Sequence, residues 1–90
     1  MSLYVAAYDI SDDSRRRRVS KFLLRFGARV QESLFEVWIE PEEMADFRQE
    51  LGTWLDRRDA FDLYPVESRH SRARYRWQRP PNEWRPVLLL

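Results

Sequence analysis

The stretch Leu3-Tyr4-Val5-Ala6-Ala7-Tyr8-Asp9 decides how the rest of the chain is read. Six apolar or aromatic residues in a row, closed by an acid, are the signature of a central strand buried on both faces. Directly after it, Ser11, Asp12 and Asp13 offer side-chain oxygens and negative charge for a helix start. Val19, Phe22, Leu23 and Phe26 then recur at i, i+3, i+4 and i+7, which makes one apolar helical stripe. Gly27 follows as a C-terminal stop, so a first helix is expected over residues 13–26.

Beyond it, Phe35, Val37 and Ile39 alternate with Glu36 and Trp38, the period of a strand. Val30 and Glu32 lie on an earlier strand, and a turn near Ser33–Leu34 makes the segment a tight hairpin or a kinked long strand. Pro41 suits a first helical position, with Glu42 and Glu43 in the first turn and Arg57 and Arg58 in the last. Met44, Phe47, Leu51, Trp54 and Leu55 form the apolar face of this second helix, expected over residues 41–57. Gly52 in its middle costs about 1 kcal/mol relative to alanine. Residues 60–66 alternate again, and Pro65, which cannot donate to a ladder, marks an edge strand. The order βαββαβ is that of a ferredoxin-like α+β sandwich with an antiparallel sheet, the first and third strands central.

A chain of 90 residues with 43% hydrophobic and 14% aromatic content suits one folded domain rather than a disordered segment. With no cysteine, disulfide frameworks, thiolate zinc sites and cysteine nucleophiles are excluded. No apolar run approaches a membrane span and no signal-peptide pattern opens the chain, so a cytoplasmic protein without membrane contact is expected.

Charge is unevenly spread. Residues 1–29 carry seven basic and three acidic side chains, residues 30–66 three and ten, and residues 67–90 six and two. Fifteen of the sixteen basic residues are arginine, which forks onto phosphate and stacks on bases. GC-rich coding would produce the same preference, so clustering is the better evidence. Residues 1–66 are expected to form the ferredoxin-like domain and residues 67–90 a basic C-terminal arm, ending in Val87-Leu88-Leu89-Leu90, that packs on a dimer partner.

Asp9 stands at the carboxyl end of the first strand, where ligand sites often gather. An acid there can hold Mg²⁺, which takes one or two carboxylates and keeps several waters. Asp12 and Asp13 read as caps. At 100° steps, Arg15 and Arg18 lie on neighbouring turns while Arg16 and Arg17 project elsewhere. Cations at a helix amino end oppose the dipole, which hints at a phosphate partner, although a charge run by itself is a solvated face. His70, the single histidine, reads as surface. Trp38, Tyr64, Tyr75, Trp77 and Trp84 are the interface candidates.

Val5-Ala6-Ala7-Tyr8-Asp9-Ile10-Ser11-Asp12-Asp13, with Arg16, Arg18 and Val19 following, resembles the amino-terminal motif of the CRISPR-associated Cas2 family. Phe26-Gly27-Ala28-Arg29-Val30-Gln31-Glu32-Ser33-Leu34-Phe35-Glu36 is similar to that family's second block, and Asp59 with Tyr64-Pro65-Val66 to its fourth strand. The resemblance covers residues 3–66. It implies a ferredoxin-like homodimer whose two copies of Asp9 approach across a twofold axis and hold one Mg²⁺. It also implies a metal-dependent endonuclease acting on RNA or DNA, and the central dimer of the complex in which a CRISPR integrase subunit inserts new spacers. By motif position, Asp9, Tyr8 and Phe35 are the catalytic candidates, Asp9 the metal ligand, and Arg16, Arg18 and Arg29 the nucleic-acid contacts. Glu32 stands where many members carry an aromatic residue, and the chain after residue 67 departs from the pattern.

Hydrolysis would be attack of water on a phosphodiester, with the metal neutralising charge and lowering the water's pKa. No side chain is an evident general base. A purely structural DNA-binding scaffold would need the arginines but not Asp9. A third class on the same fold is a toxin-type RNA interferase similar to the VapD family.

Overall fold

A computed structural model describes residues 2–67 together with Tyr75 and Trp77. Strand β1 (Ser2–Asp9) leads into helix α1 (Asp13–Leu23) and the hairpin of β2 (Gly27–Gln31) and β3 (Leu34–Ile39). Helix α2 (Met44–Trp54) and strand β4 (Ala60–Val66) follow. The strands form one sheet of order β2-β3-β1-β4 with every neighbouring pair antiparallel, the expected ferredoxin-like arrangement. Pro65, with no ladder N–H to give, sits on the edge strand β4 opposite Tyr4.

Both helices cover the same face of this sheet. Ala6, Tyr8, Phe35, Val37 and Ile39 pack there against Val19, Phe22 and Leu23 of α1 and Phe47 and Leu51 of α2. Burying a side chain such as Phe35 or Phe47 stabilises by about 1.5–3 kcal/mol, so this cluster is the domain's main source of stability. Period two sends the other half of each strand to the opposite face: Leu3, Val5, Ala7 and Asp9 of β1, Leu34, Glu36 and Trp38 of β3, Asp62, Tyr64 and Val66 of β4. The expectation that β1 is buried on both faces therefore holds on this second face only at Leu3, which is fully buried. Val5 and Ala7 are half-buried and Asp9 is exposed.

The helix ends differ from expectation, for identifiable reasons. Helix α1 stops at Leu23 rather than residue 26, because its last turn tightens: Arg25 N–H bonds to Phe22 O and Phe26 N–H to Leu23 O. Phe26 O is then taken by Trp38 N–H at 2.9 Å, so pairing with β3 begins at once. Gly27 is not a helix stop. It is the first residue of β2, and a Cβ there would lie 1.9 Å from the Glu36 carbonyl oxygen, so close strand approach demands glycine.

The second helix is a short 3₁₀ turn, Pro41–Glu43, running into α2, with Glu40 N–H donating to Glu43 Oε1 at 3.0 Å. Residue 57 is outside it. Leu55 is already extended, and Asp56 and Asp59 capture backbone N–H groups in a turn that holds Arg57 and Arg58. Glu32, expected on a strand, lies in the β2–β3 turn. Among the described residues no helix is long and apolar enough to cross a membrane. His70, Trp84 and the arm's terminal apolar run lie outside the described residues, whereas Tyr75 and Trp77 are exposed and touch edge-to-face.

Candidate functional site

Tyr8 and Asp9 are neighbours that point to opposite faces of the sheet, as alternation along β1 requires. Tyr8 is turned toward the helices, its ring stacked between Phe35 and Phe61 at centroid distances of 6.2 and 6.1 Å. Its hydroxyl lies 2.7 Å from Ser20 Oγ on α1 and donates to the Glu32 carbonyl of the β2–β3 turn at 3.1 Å. One buried phenol thus ties the helix to the hairpin turn. Phe35 is fully buried in the same cluster. Among the described residues, both of these candidates lie in the core and neither shares a face with Asp9.

Between α1 and the β2–β3 turn lies an open groove of about 350 Å³, lined by Arg16, Arg17, Ser20, Lys21, Leu24, Arg29 and Glu32. Four cations and one carboxylate make it strongly positive. Arg29 caps its hairpin wall, donating from Nη1 to the Glu32 carbonyl at 2.8 Å with its guanidinium 5.0 Å above the Phe35 ring. Arg16 donates to the Ile10 carbonyl at 3.0 Å and pairs with Asp13, which steadies the loop after Asp9.

Arg18 is separated from these. Its guanidinium lies over Trp54, 5.4 Å from the ring centre, on the side of α1 that meets α2. Arg15 turns the same way and clasps Asp59 with two hydrogen bonds, Nε to Oδ2 at 3.1 Å and Nη2 to Oδ1 at 3.2 Å. The sequence-predicted trio is therefore split: Arg16 and Arg29 share the groove, and Arg18 does not. Two groove cations, Arg17 and Lys21, went unselected although their i, i+4 spacing puts them on one helix face.

Asp12 caps α1 as expected, accepting Arg15 N–H at 2.8 Å. Asp59, whose side chain is 1% exposed, also accepts the Asp56 N–H at 2.8 Å. The Arg15 hydrogen bond and then this backbone N–H hold its carboxyl below the usual aspartate range, and Asp59 in turn raises Arg15. Nothing local in sequence joins residues 15 and 59.

Asp9 is exposed at the end of β1, on the sheet face the helices leave open, paired in register with Ala60. Among the described residues no three His, Cys, Asp or Glu side chains gather as a metal-binding set. One carboxylate per chain suits a hard cation that keeps most of its water, provided a second copy supplies the other carboxylate. On that condition the donor set fits Mg²⁺.

A family model described as CRISPR associated protein Cas2 matches residues 1–74. The chain is similar to a CRISPR-associated endonuclease Cas2 of Thermus thermophilus, 42% identical over 65 residues, 71% of this chain and 72% of that protein. Among solved structures it is similar to Streptococcus pyogenes Cas2, with TM-score 0.75 and 26% identity over 82% of this chain and 96% of that one. A chain of a partial Cas6-RT-Cas1–Cas2 complex has the same fold, with TM-score 0.72 and 20% identity over 86% of this chain and 91% of that one.

Proposed function

The chain belongs to the CRISPR-associated Cas2 family, and from that premise we propose that it works in CRISPR adaptation as a nucleic-acid-binding homodimer beside the Cas1 integrase. Its second property in this reading is an Mg²⁺-dependent phosphodiesterase activity at Asp9. The observation that carries it is the position of Asp9, an exposed carboxylate at the rim of the sheet face the helices leave open, where Val5, Ala7, Trp38 and Tyr64 lie beside Glu36 and Asp62. A second copy laid on that face would cover Val5, Ala7, Trp38 and Tyr64 and bring a second Asp9 near the first. Tyr64, 55% exposed, is the kind of aromatic that such an interface uses.

In hydrolysis, the two Asp9 carboxylates would hold the metal, which supplies charge neutralisation and a more acidic water when bound. Arg16 keeps the Ile10–Asp12 loop in place beside Asp9 through its bond to the Ile10 carbonyl. Tyr8 and Phe35 act from the core, as positioning residues for the strand end and the hairpin turn.

A second reading, an integration scaffold whose catalysis is incidental, is favoured by one feature. The basic groove opens on the helix-covered side, and Asp9 faces the other way. Nucleic acid held in the groove is not thereby delivered to the Asp9 of the same chain. Relatives named endonucleases support cleavage, and the fold shared with a chain of a Cas1-containing complex supports the integrase partnership.

The deciding experiment compares wild type with Asp9→Asn in two assays, Mg²⁺-dependent cleavage and spacer integration with Cas1. Loss of cleavage with integration kept makes the scaffold the biological role, with a weak nuclease at Asp9. Loss of both makes Asp9 part of adaptation itself. Unchanged cleavage in the variant overturns the metal assignment.

A further inference from the structure

We infer that Arg17 and Lys21, rather than the Arg16 and Arg18 of the family motif, seat successive phosphates of a nucleic-acid backbone in the groove between α1 and the β2–β3 turn. The inference rests on the nucleic-acid reading above and assigns it to particular side chains.

The neighbouring arginines of α1 are already committed. Arg15 is held by Asp59, Arg16 by the Ile10 carbonyl and Asp13, and Arg18 lies over Trp54. To reach a phosphate, Arg16 or Arg18 must first give up a contact that holds a loop or a helix pair. Arg17 and Lys21 have nothing to give up. Both are exposed, both line the groove, and among the described residues neither side chain makes a hydrogen bond or ion pair.

Their spacing suits the ligand. Residues four apart on a helix have Cβ atoms about 5–6 Å apart, comparable to the separation of neighbouring phosphates along one strand. Like charges at that spacing oppose helix formation by a few tenths of a kcal/mol. An anion between them removes that penalty.

The groove is also built to keep its shape. The Tyr8 hydroxyl touches both walls, Ser20 on the helix and the Glu32 carbonyl on the turn, and Arg29 bonds that same carbonyl. Its rigid positive walls therefore exist before any ligand arrives, which lowers the ordering cost of binding.

The test is a salt titration of binding to a short DNA duplex and, in a second arm, to a short single-stranded RNA. Each phosphate contact contributes about −0.9 to the slope of log affinity against log salt for duplex DNA and about −0.7 for single strands. The double variant Arg17→Ala, Lys21→Ala is expected to shallow the duplex slope by about 1.8 per bound chain, or the single-strand slope by about 1.4. Its melting temperature should match wild type, and Arg18→Ala should leave the slope in place. A double variant that keeps the wild-type slope overturns the inference and leaves the broader reading standing. Wild type that shows no salt-dependent binding in either arm overturns both.

Discussion

The hydroxyl of Tyr8 stands 2.7 Å from Ser20 Oγ, a buried contact between a central strand and the helix that follows it. Because the same hydroxyl donates to the Glu32 carbonyl, a side chain that reads as catalytic by motif position acts as a spacer between two walls. Tyr8→Phe keeps the stacking on Phe35 and Phe61 and deletes both hydrogen bonds. Urea denaturation should show a loss of about 1–2 kcal/mol. In a double-mutant cycle with Ser20→Ala the two changes should couple by at least ~0.5 kcal/mol. Strict additivity would show that the contact is energetically idle.

The two glycines should respond in opposite directions. Alanine at Gly27 places a methyl against the backbone oxygen of Glu36, which cannot move without breaking the β2–β3 ladder. A destabilisation of about 3 kcal/mol, the upper end for overpacking, is expected. Alanine at Gly52 meets nothing within 4 Å and gains helix propensity, so it should stabilise by about 0.5–1 kcal/mol. Thermal melts of the two variants check both signs.

Asp59 should keep its charge to lower pH than an ordinary aspartate. Its folded pKa is depressed, so its contribution to stability is complete above the ordinary aspartate value of about 3.9 and is lost as pH falls through the lower folded value. Asp59→Asn should be less stable than wild type at neutral pH, and the gap should close on acidification below about pH 4. Urea midpoints measured from neutral pH downward test this; a gap that stays constant with pH removes the Arg15–Asp59 clasp as its cause.

The open sheet face predicts the oligomeric state. Light scattering should report twice the chain mass for wild type at micromolar concentration, and Val5→Lys, which sets a charge in the middle of that face, should report a monomer with a retained fold. A wild-type monomer would leave Asp9 with no second carboxylate and remove the basis of the metal proposal.

The fold was legible because each element carries a local signature. The stripe from Val19 to Leu23 is buried as its spacing demands, Asp12 caps the helix it precedes, and Pro65 sits at an edge because it has no N–H to share. Alternation was also present within residues 3–9, with Tyr4, Ala6 and Tyr8 on one face and Leu3, Val5, Ala7 and Asp9 on the other. The unbroken apolar run hid it, since both faces read as hydrophobic. Helix ends were misjudged where tertiary pairing overrode propensity: Trp38 N–H claims Phe26 O, and Asp56 and Asp59 pull the chain out of α2.

By itself the sequence determined the element order, the sheet's central and edge strands, and the motif that marks the family, because short-range periodicity and residue type suffice for these. Only the tertiary structure decided which arginine belongs to which site. Arg15, Arg16, Arg17 and Arg18 are indistinguishable in composition, yet they meet Asp59, Ile10, the open groove and Trp54 respectively. The helix turns 100° per residue, so each arginine's role is set by what packs on its side of α1, and those partners lie up to 44 residues away along the chain.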